Sequence, residues 1–213
     1  MLKYQIDTVL FDFGGVLAEE GFREGLKAIA RLSDLDEDAF FHQAEELIYS
    51  SGYVLGKATE NAYWQALREA TGVSHTDDFM RKELVKRFLI RPWMLEIVDE
   101  LRAQNYRVGI LSDQTNWLDM LDKKYALFKH FDRVYNSFYL KKGKRDPGLF
   151  DGVARDLRVP PRSILFIDDN AGHCDRARKK GFCVIHYTNK DLFLMDITGF
   201  LPSMILQESW RGI

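Results

Sequence analysis

Short apolar runs recur along the chain with little polar interruption. Thr8-Val9-Leu10-Phe11, Val108-Gly109-Ile110-Leu111, Ile164-Leu165-Phe166-Ile167 and Cys183-Val184-Ile185 have the length of strands, and Val134-Tyr135 is a weaker fifth. Ile164–Ile167 is apolar at consecutive positions, the pattern of a parallel strand buried on both faces. Between the runs the spacing turns helical. Pro92 suits the first turn of a helix carrying Met94, Ile97, Val98 and Leu101 on one face. Further helices are predicted from about Asn116, Pro147 and Gly172, and the tail from Asn189 reads as one amphipathic helix plus a short end. Alternating strands and helices imply an α/β fold: a parallel sheet with helices on both faces.

From Glu20 to about Ile90 the pattern differs, with no convincing strand. Phe22, Leu26, Ile29 and Ala30 recur at helical spacing, as do Phe40, Phe41, Ala44, Leu47 and Ile48. Trp64, Leu67 and Ala70 follow, then Met80, Leu84, Phe88 and Leu89. Asp36 and Thr59 are the expected N-caps, and Gly52, Gly56 and Gly72 punctuate the connections. This stretch reads as a small α-helical bundle whose aromatic residues form its core.

Composition supports that picture. With 213 residues and 46% hydrophobic content, the chain suits one domain carrying a substantial insertion, or two small ones. The net charge of -2 gives no reason to expect a nucleic-acid or membrane partner. No apolar run approaches the roughly 18–20 residues of a membrane span. The segment Met1–Asp7 lacks the long apolar stretch of a signal peptide, so the expected location is cytoplasmic. Cys174 and Cys183 form no CxxC pair and read as buried or half-buried thiols in a reduced compartment.

Ligands of a parallel sheet bind beyond the carboxyl ends of its strands, so the residues that follow each run matter most. Asp12 follows the first, and Ser112 and Asp113 follow the second. Lys144 lies in the loop after the weak strand, and Asp168-Asp169-Asn170 follow Ile164–Ile167. Clustered carboxylates repel and demand a cation. Hard oxygen ligands suit magnesium, which favours one or two carboxylates plus a substrate phosphate. A central carboxylate can also act as nucleophile, splitting a hard hydrolysis into two displacements. Taken singly, the same aspartates and serine would serve as helix caps, and Lys144 would be a solvated loop residue.

The order and spacing of these groups resemble the haloacid dehalogenase superfamily over nearly the whole chain. Val9–Leu17, with Asp12-Phe13-Gly14-Gly15 at its centre, looks like the first motif of that family. Ile110-Leu111-Ser112 looks like the second, Lys144 before Asp146-Pro147 the third, and Phe166-Ile167-Asp168-Asp169 the fourth. The resemblance implies a Rossmann-like core over residues 1–16 and 91–213, with a helical cap over residues 17–90. It implies a magnesium-dependent phosphohydrolase acting on a small phosphorylated metabolite through an aspartyl-phosphate intermediate. Asp12 would then be the nucleophile and Lys144 the residue neutralising nucleophile and phosphate. Ser112, Asp113 and Lys144 would bind the phosphoryl group. Asp12, the Gly14 carbonyl and Asp169 would hold magnesium, with Asp168 as a supporting partner.

Three positions depart from the family pattern. Gly14 stands where its phosphatases usually carry an aspartate that serves as general acid and base; Glu19 and Glu20 are nearby candidates to replace it. Asp113 stands where asparagine is common and would have to turn its charge away from a phosphate, leaving its backbone N–H as the useful part. Arg145 replaces the usual proline after the lysine. His173, at the start of a helix, reads either as a group behind the acidic pair or as a helix-end residue. Two other functions stay open: a metal-independent haloacid dehalogenase-type hydrolase, and a phosphate-binding or regulatory module that turns over weakly for want of an acid at Gly14.

Overall fold

A computed structural model describes residues 5–202; the first four residues, and the short end expected after the last helix, lie outside the described residues. In chain order the elements are β1 (Thr8–Phe11), α1 (Gly21–Leu32), α2 (Glu37–Ser50), α3 (Glu60–Thr71), α4 (Asp77–Val85), α5 (Pro92–Ala103), β2 (Arg107–Ser112), α6 (Trp117–Tyr125), β3 (Arg133–Asn136), α7 (Ser137–Leu140), α8 (Gly148–Leu157), β4 (Ile164–Asp168), α9 (Ala171–Lys179), β5 (Cys183–His186) and α10 (Lys190–Phe200). The strands form one five-stranded parallel sheet in the order β3-β2-β1-β4-β5. This is the expected α/β architecture.

Alternation along the strands divides the interior between the two faces of the sheet. Val9, Phe11, Ile110, Leu165 and Ile167 face α5, α6 and α10 through Ile97, Leu101, Leu118 and Ile197. Leu10, Leu111, Ile164 and Phe166 face α8 through Leu149, Phe150, Val153 and Leu157. Phe11 aligns with Ile110 on one side and Ile167 on the other. That register brings the residues after β1, β2 and β4 out at one edge of the sheet.

Within the helical insert, Asp36 Oδ1 accepts from the Ala39 N–H at 2.7 Å and Thr59 Oγ1 from that of Ala62 at 3.2 Å, so both expected caps form. One helix is shorter than its periodicity suggested. α4 ends at Val85, and Phe88 and Leu89 lie beyond the turn that follows it. There Ile90 bridges to Ala18, leaving Phe88 buried 5.5 Å from the Phe13 ring and Leu89 exposed. α7, at four residues, is too short to show a period. Trp64 of α3 stacks on Trp117 of α6, ring centroids 5.6 Å apart, so the interior of the insert is continuous with one face of the sheet.

The two chain crossings between insert and sheet run side by side. The Arg91 N–H donates to the Leu17 carbonyl at 2.9 Å, and its guanidinium reaches the Gly15 and Val16 carbonyls at 2.6 and 3.1 Å.

Candidate active site

Asp12 leaves β1 at the sheet's central switch, between β2 and β4. Its Oδ1 accepts from the Phe13 N–H and from Ser112 Oγ, both at 2.7 Å. Its Oδ2 lies 2.8 Å from Lys144 Nζ. Ser112 therefore spends its hydroxyl on Asp12 and caps no helix. Lys144, 1% exposed, reaches in from the loop after α7 and also donates to Asp168 Oδ2 at 2.6 Å. The second oxygen of Asp168 accepts from the Asn170 N–H at 2.8 Å, so this carboxylate is fully engaged.

Asp169 is arranged differently. No hydrogen bond or ion pair engages its carboxylate among the described residues; only its backbone carbonyl is engaged, by His186 Nε2 at 2.9 Å. The carboxylate packs over Gly15: a Cβ there would stand 2.1 Å from Asp169 Oδ2. Gly15 also has φ +79°, in the region that only glycine adopts without strain. Of the sequence-expected metal positions, Asp12, Gly14 and Asp169 all border the cleft, whereas Asp168 lies behind it with no exposure.

Electrostatics follow from this packing. Burial, and then Asp12, Asp168 and Glu20, push the Asp169 carboxyl up to about 7. Asp168 is held down at about 2: burial raises it, but Lys144 and His173 outweigh that. Burial likewise raises Asp12, against the pull of Lys144. Burial alone would lower the Lys144 ammonium, yet Asp12, Asp168 and Asp113 hold it above its ordinary range. Three carboxylates and one ammonium leave surplus negative charge in a buried site. A hard divalent cation relieves that surplus, and an all-oxygen donor set suits magnesium.

Asp113 lines the cleft with its charge engaged by neighbours. Both its oxygens accept from the Lys144 backbone N–H, at 2.8 and 3.1 Å, and Tyr49 OH donates to Oδ2 at 3.3 Å. Arg176 of α9 steadies the same loop by donating to the Lys144 carbonyl at 2.8 Å. Nothing in the sequence pattern marks Tyr49 or Arg176 for this task, because their partners lie far away in sequence. His173, in the first turn of α9, brings Nδ1 to 3.3 Å from Asp168 Oδ1 without hydrogen-bond alignment. Arg145 stacks on the Tyr49 ring at 3.4 Å, which fixes a position that lacks the family's proline.

The cleft over Asp12 holds about 320 Å³, within the range of small-molecule sites. Its floor is the sheet edge, and Glu20, Phe22, Arg23, Phe41, Glu45 and Tyr49 of the insert form its opposite wall. The two neighbouring glutamates differ. Glu19 grips Arg91 at 2.8 Å and faces solvent, its carboxyl lowered by that hydrogen bond. Glu20 lines the cleft, its carboxyl raised by burial and then by Asp12.

Residues 6–175 match the haloacid dehalogenase-like hydrolase family. The chain belongs to that family. Among its relatives, a D-ribitol-5-phosphate phosphatase of Bacteroides thetaiotaomicron is 22% identical over 215 residues, covering 93% of this chain and 100% of that protein. The bifunctional epoxide hydrolase 2 of Rattus norvegicus is 26% identical over 198 residues, 82% of this chain but only 35% of that protein. In fold, this hydrolase matches a haloacid dehalogenase family enzyme of Bacteroides thetaiotaomicron with TM-score 0.73 and 23% identity, over 88% of this chain and 98% of that one. It also matches the L-2-haloacid dehalogenase of Xanthobacter autotrophicus with TM-score 0.64 and 17% identity, over 97% and 87% of the two chains.

Proposed function

We propose that this hydrolase is a magnesium-dependent phosphatase that transfers the phosphoryl group of a small phosphorylated metabolite to Asp12 and then to water. The observation that carries the reading is the environment of Asp12: a buried carboxylate held by Ser112 Oγ at 2.7 Å and Lys144 Nζ at 2.8 Å, with Asp169 bordering the same cleft. Ser112 and Lys144 supply a hydroxyl and an ammonium where phosphate oxygens would sit. A relative named as a phosphatase, and a haloacid dehalogenase family structure determined with magnesium and inorganic phosphate, support it further. Asp12, the Gly14 carbonyl and Asp169 would hold the ion, while Asp168 keeps Lys144 in place. Bound there, magnesium would neutralise charge on the phosphoryl group as it transfers.

Asp12 attacks phosphorus, and Lys144 offsets the negative charge of both groups at close range. Residues 1–16 and 91–213 act as the hydrolase core, and residues 17–90 as a cap that covers the cleft and selects the substrate. The polar wall, with Arg23 and Glu45, suits a hydroxylated substrate such as a sugar or polyol phosphate.

The test is a screen of phosphorylated metabolites, D-ribitol 5-phosphate and aldose phosphates among them, with magnesium and with excess chelator, beside a 2-haloacid. Phosphate release that requires magnesium is expected. Halide release in chelator would transfer the chain to the dehalogenase branch, and tight phosphate binding without turnover would make it a binding module.

A further inference from the structure

We propose that Glu20, at the start of the helical insert, is the proton donor and acceptor for the leaving group, the role left empty by Gly14; this rests on the phosphatase reading above. Gly14 is not in the left-handed region, and a Cβ on it would meet only ordinary contacts: Phe88 Cε1 at 3.5 Å, then Glu20 Oε2 and Oε1 at 3.7 and 3.8 Å. The polar atoms nearest to a side chain at position 14 are therefore the two carboxylate oxygens of Glu20. The missing carboxylate is answered by one arriving from the opposite wall.

Local packing aims Glu20 inward. The crossing that precedes it is pinned by the Ala18 N–H on the Phe13 carbonyl and the Glu19 N–H on the Leu89 carbonyl, both at 2.9 Å. The residue that follows it, Gly21, is pressed against Phe88, where a Cβ would come within 2.5 Å of the ring. Between these fixed points Glu19 turns out to Arg91, and Glu20 turns into the cleft that holds Asp12 and Ser112. Glu20 forms no ion pair among the described residues, and although it occupies the N-cap of α1 its side chain closes no cap hydrogen bond. The Phe22 and Arg23 backbone N–H groups and the Arg23 charge draw on its carboxylate, which still lines the cleft.

As Asp12 bonds to phosphorus, the phosphorus–ester oxygen bond breaks, its electron pair stays on that oxygen, and the Glu20 proton joins it to give the alcohol. Water then attacks the phosphoryl-Asp12, giving its proton to the Glu20 carboxylate. The phosphorus–Asp12 bond breaks, restoring the Asp12 carboxylate and releasing inorganic phosphate.

The experiment measures log(kcat/KM) with magnesium against leaving-group pKa, across acetyl phosphate, 4-nitrophenyl phosphate and simple alkyl phosphates. The proteins are the native enzyme, Glu20→Gln, Glu19→Gln and the double variant Gly14→Asp/Glu20→Gln. Circular dichroism and magnesium affinity verify that each is folded. A shallow native slope is expected, with Glu20→Gln losing about 10²- to 10⁴-fold on alkyl phosphates and only a few-fold on acyl and aryl phosphates. Glu19→Gln should match native, and Gly14→Asp should restore the shallow slope in the double variant. An equal loss across all leaving groups, no loss at all, or a steep slope already in the native enzyme would overturn the role of Glu20 while leaving the phosphatase reading intact. No hydrolysis of any phosphate by the native enzyme would overturn both.

Discussion

The ammonium of Lys144 lies 2.6 Å from Asp168 Oδ2, and both side chains are almost completely withdrawn from solvent. The pair is costly to break from one side. Lys144→Met should abolish turnover and lower stability by about 3–5 kcal/mol, because Asp168 and Asp12 are then buried without compensation. Adding Asp168→Asn should return part of that loss. Chemical denaturation of the two single variants and the double gives the coupling; strictly additive losses would mean that the two groups do not interact.

Asp169 gives the metal-free enzyme a characteristic response to pH. Its carboxyl is raised from an ordinary value of 3.8 to about 7, so between these limits the folded chain keeps a proton that the unfolded chain has lost. Stability of the metal-free protein should therefore fall as pH rises through this window, while magnesium affinity rises until Asp169 is ionised. Asp168 works in the opposite sense: its contribution is full above 3.8 and is lost as pH falls toward about 2. Thermal unfolding against pH, native beside Asp169→Asn, isolates the first effect. An unchanged profile in the variant would remove Asp169 as its source.

Gly15→Ala tests the packing beneath that carboxylate. The added methyl would displace Asp169 and force a left-handed backbone on alanine. Magnesium affinity should drop by at least tenfold, with stability loss of about 1–3 kcal/mol. Native affinity in this variant would show that Asp169 does not hold the ion.

Asp113 acts through the Lys144 loop. Asp113→Ala should lower kcat/KM on the order of 10–100-fold by letting the lysine drift. Asp113→Asn, which keeps one acceptor for the Lys144 N–H, should recover most of it. A loss confined to KM would instead mean that the residue binds substrate directly.

Much of this is legible in the sequence because it is local. Uninterrupted apolar runs mark buried parallel strands, and the residue following each run must emerge at one edge once the sheet is parallel. That rule puts Asp12, Ser112, Asp168 and Asp169 at the edge; Lys144, in the loop beyond α7, is singled out by the family resemblance. The end of α4 is not legible, because Phe88 obeys a helical period while its burial comes from Phe13 across the crossing. Nor could spacing decide between Glu19 and Glu20. Adjacent acids differ in surroundings because Arg91, seventy-two positions from Glu19, captures one of them.

Stereochemistry at phosphorus tests phosphoryl transfer through Asp12 without trapping an intermediate. A phosphate monoester made chiral at phosphorus by isotopic labelling would be hydrolysed with magnesium in labelled water, and the configuration of the released phosphate determined. Two successive in-line displacements, first by Asp12 and then by water, predict net retention. Net inversion would mean that water attacks the substrate directly, and would contradict the assignment of Asp12 as nucleophile.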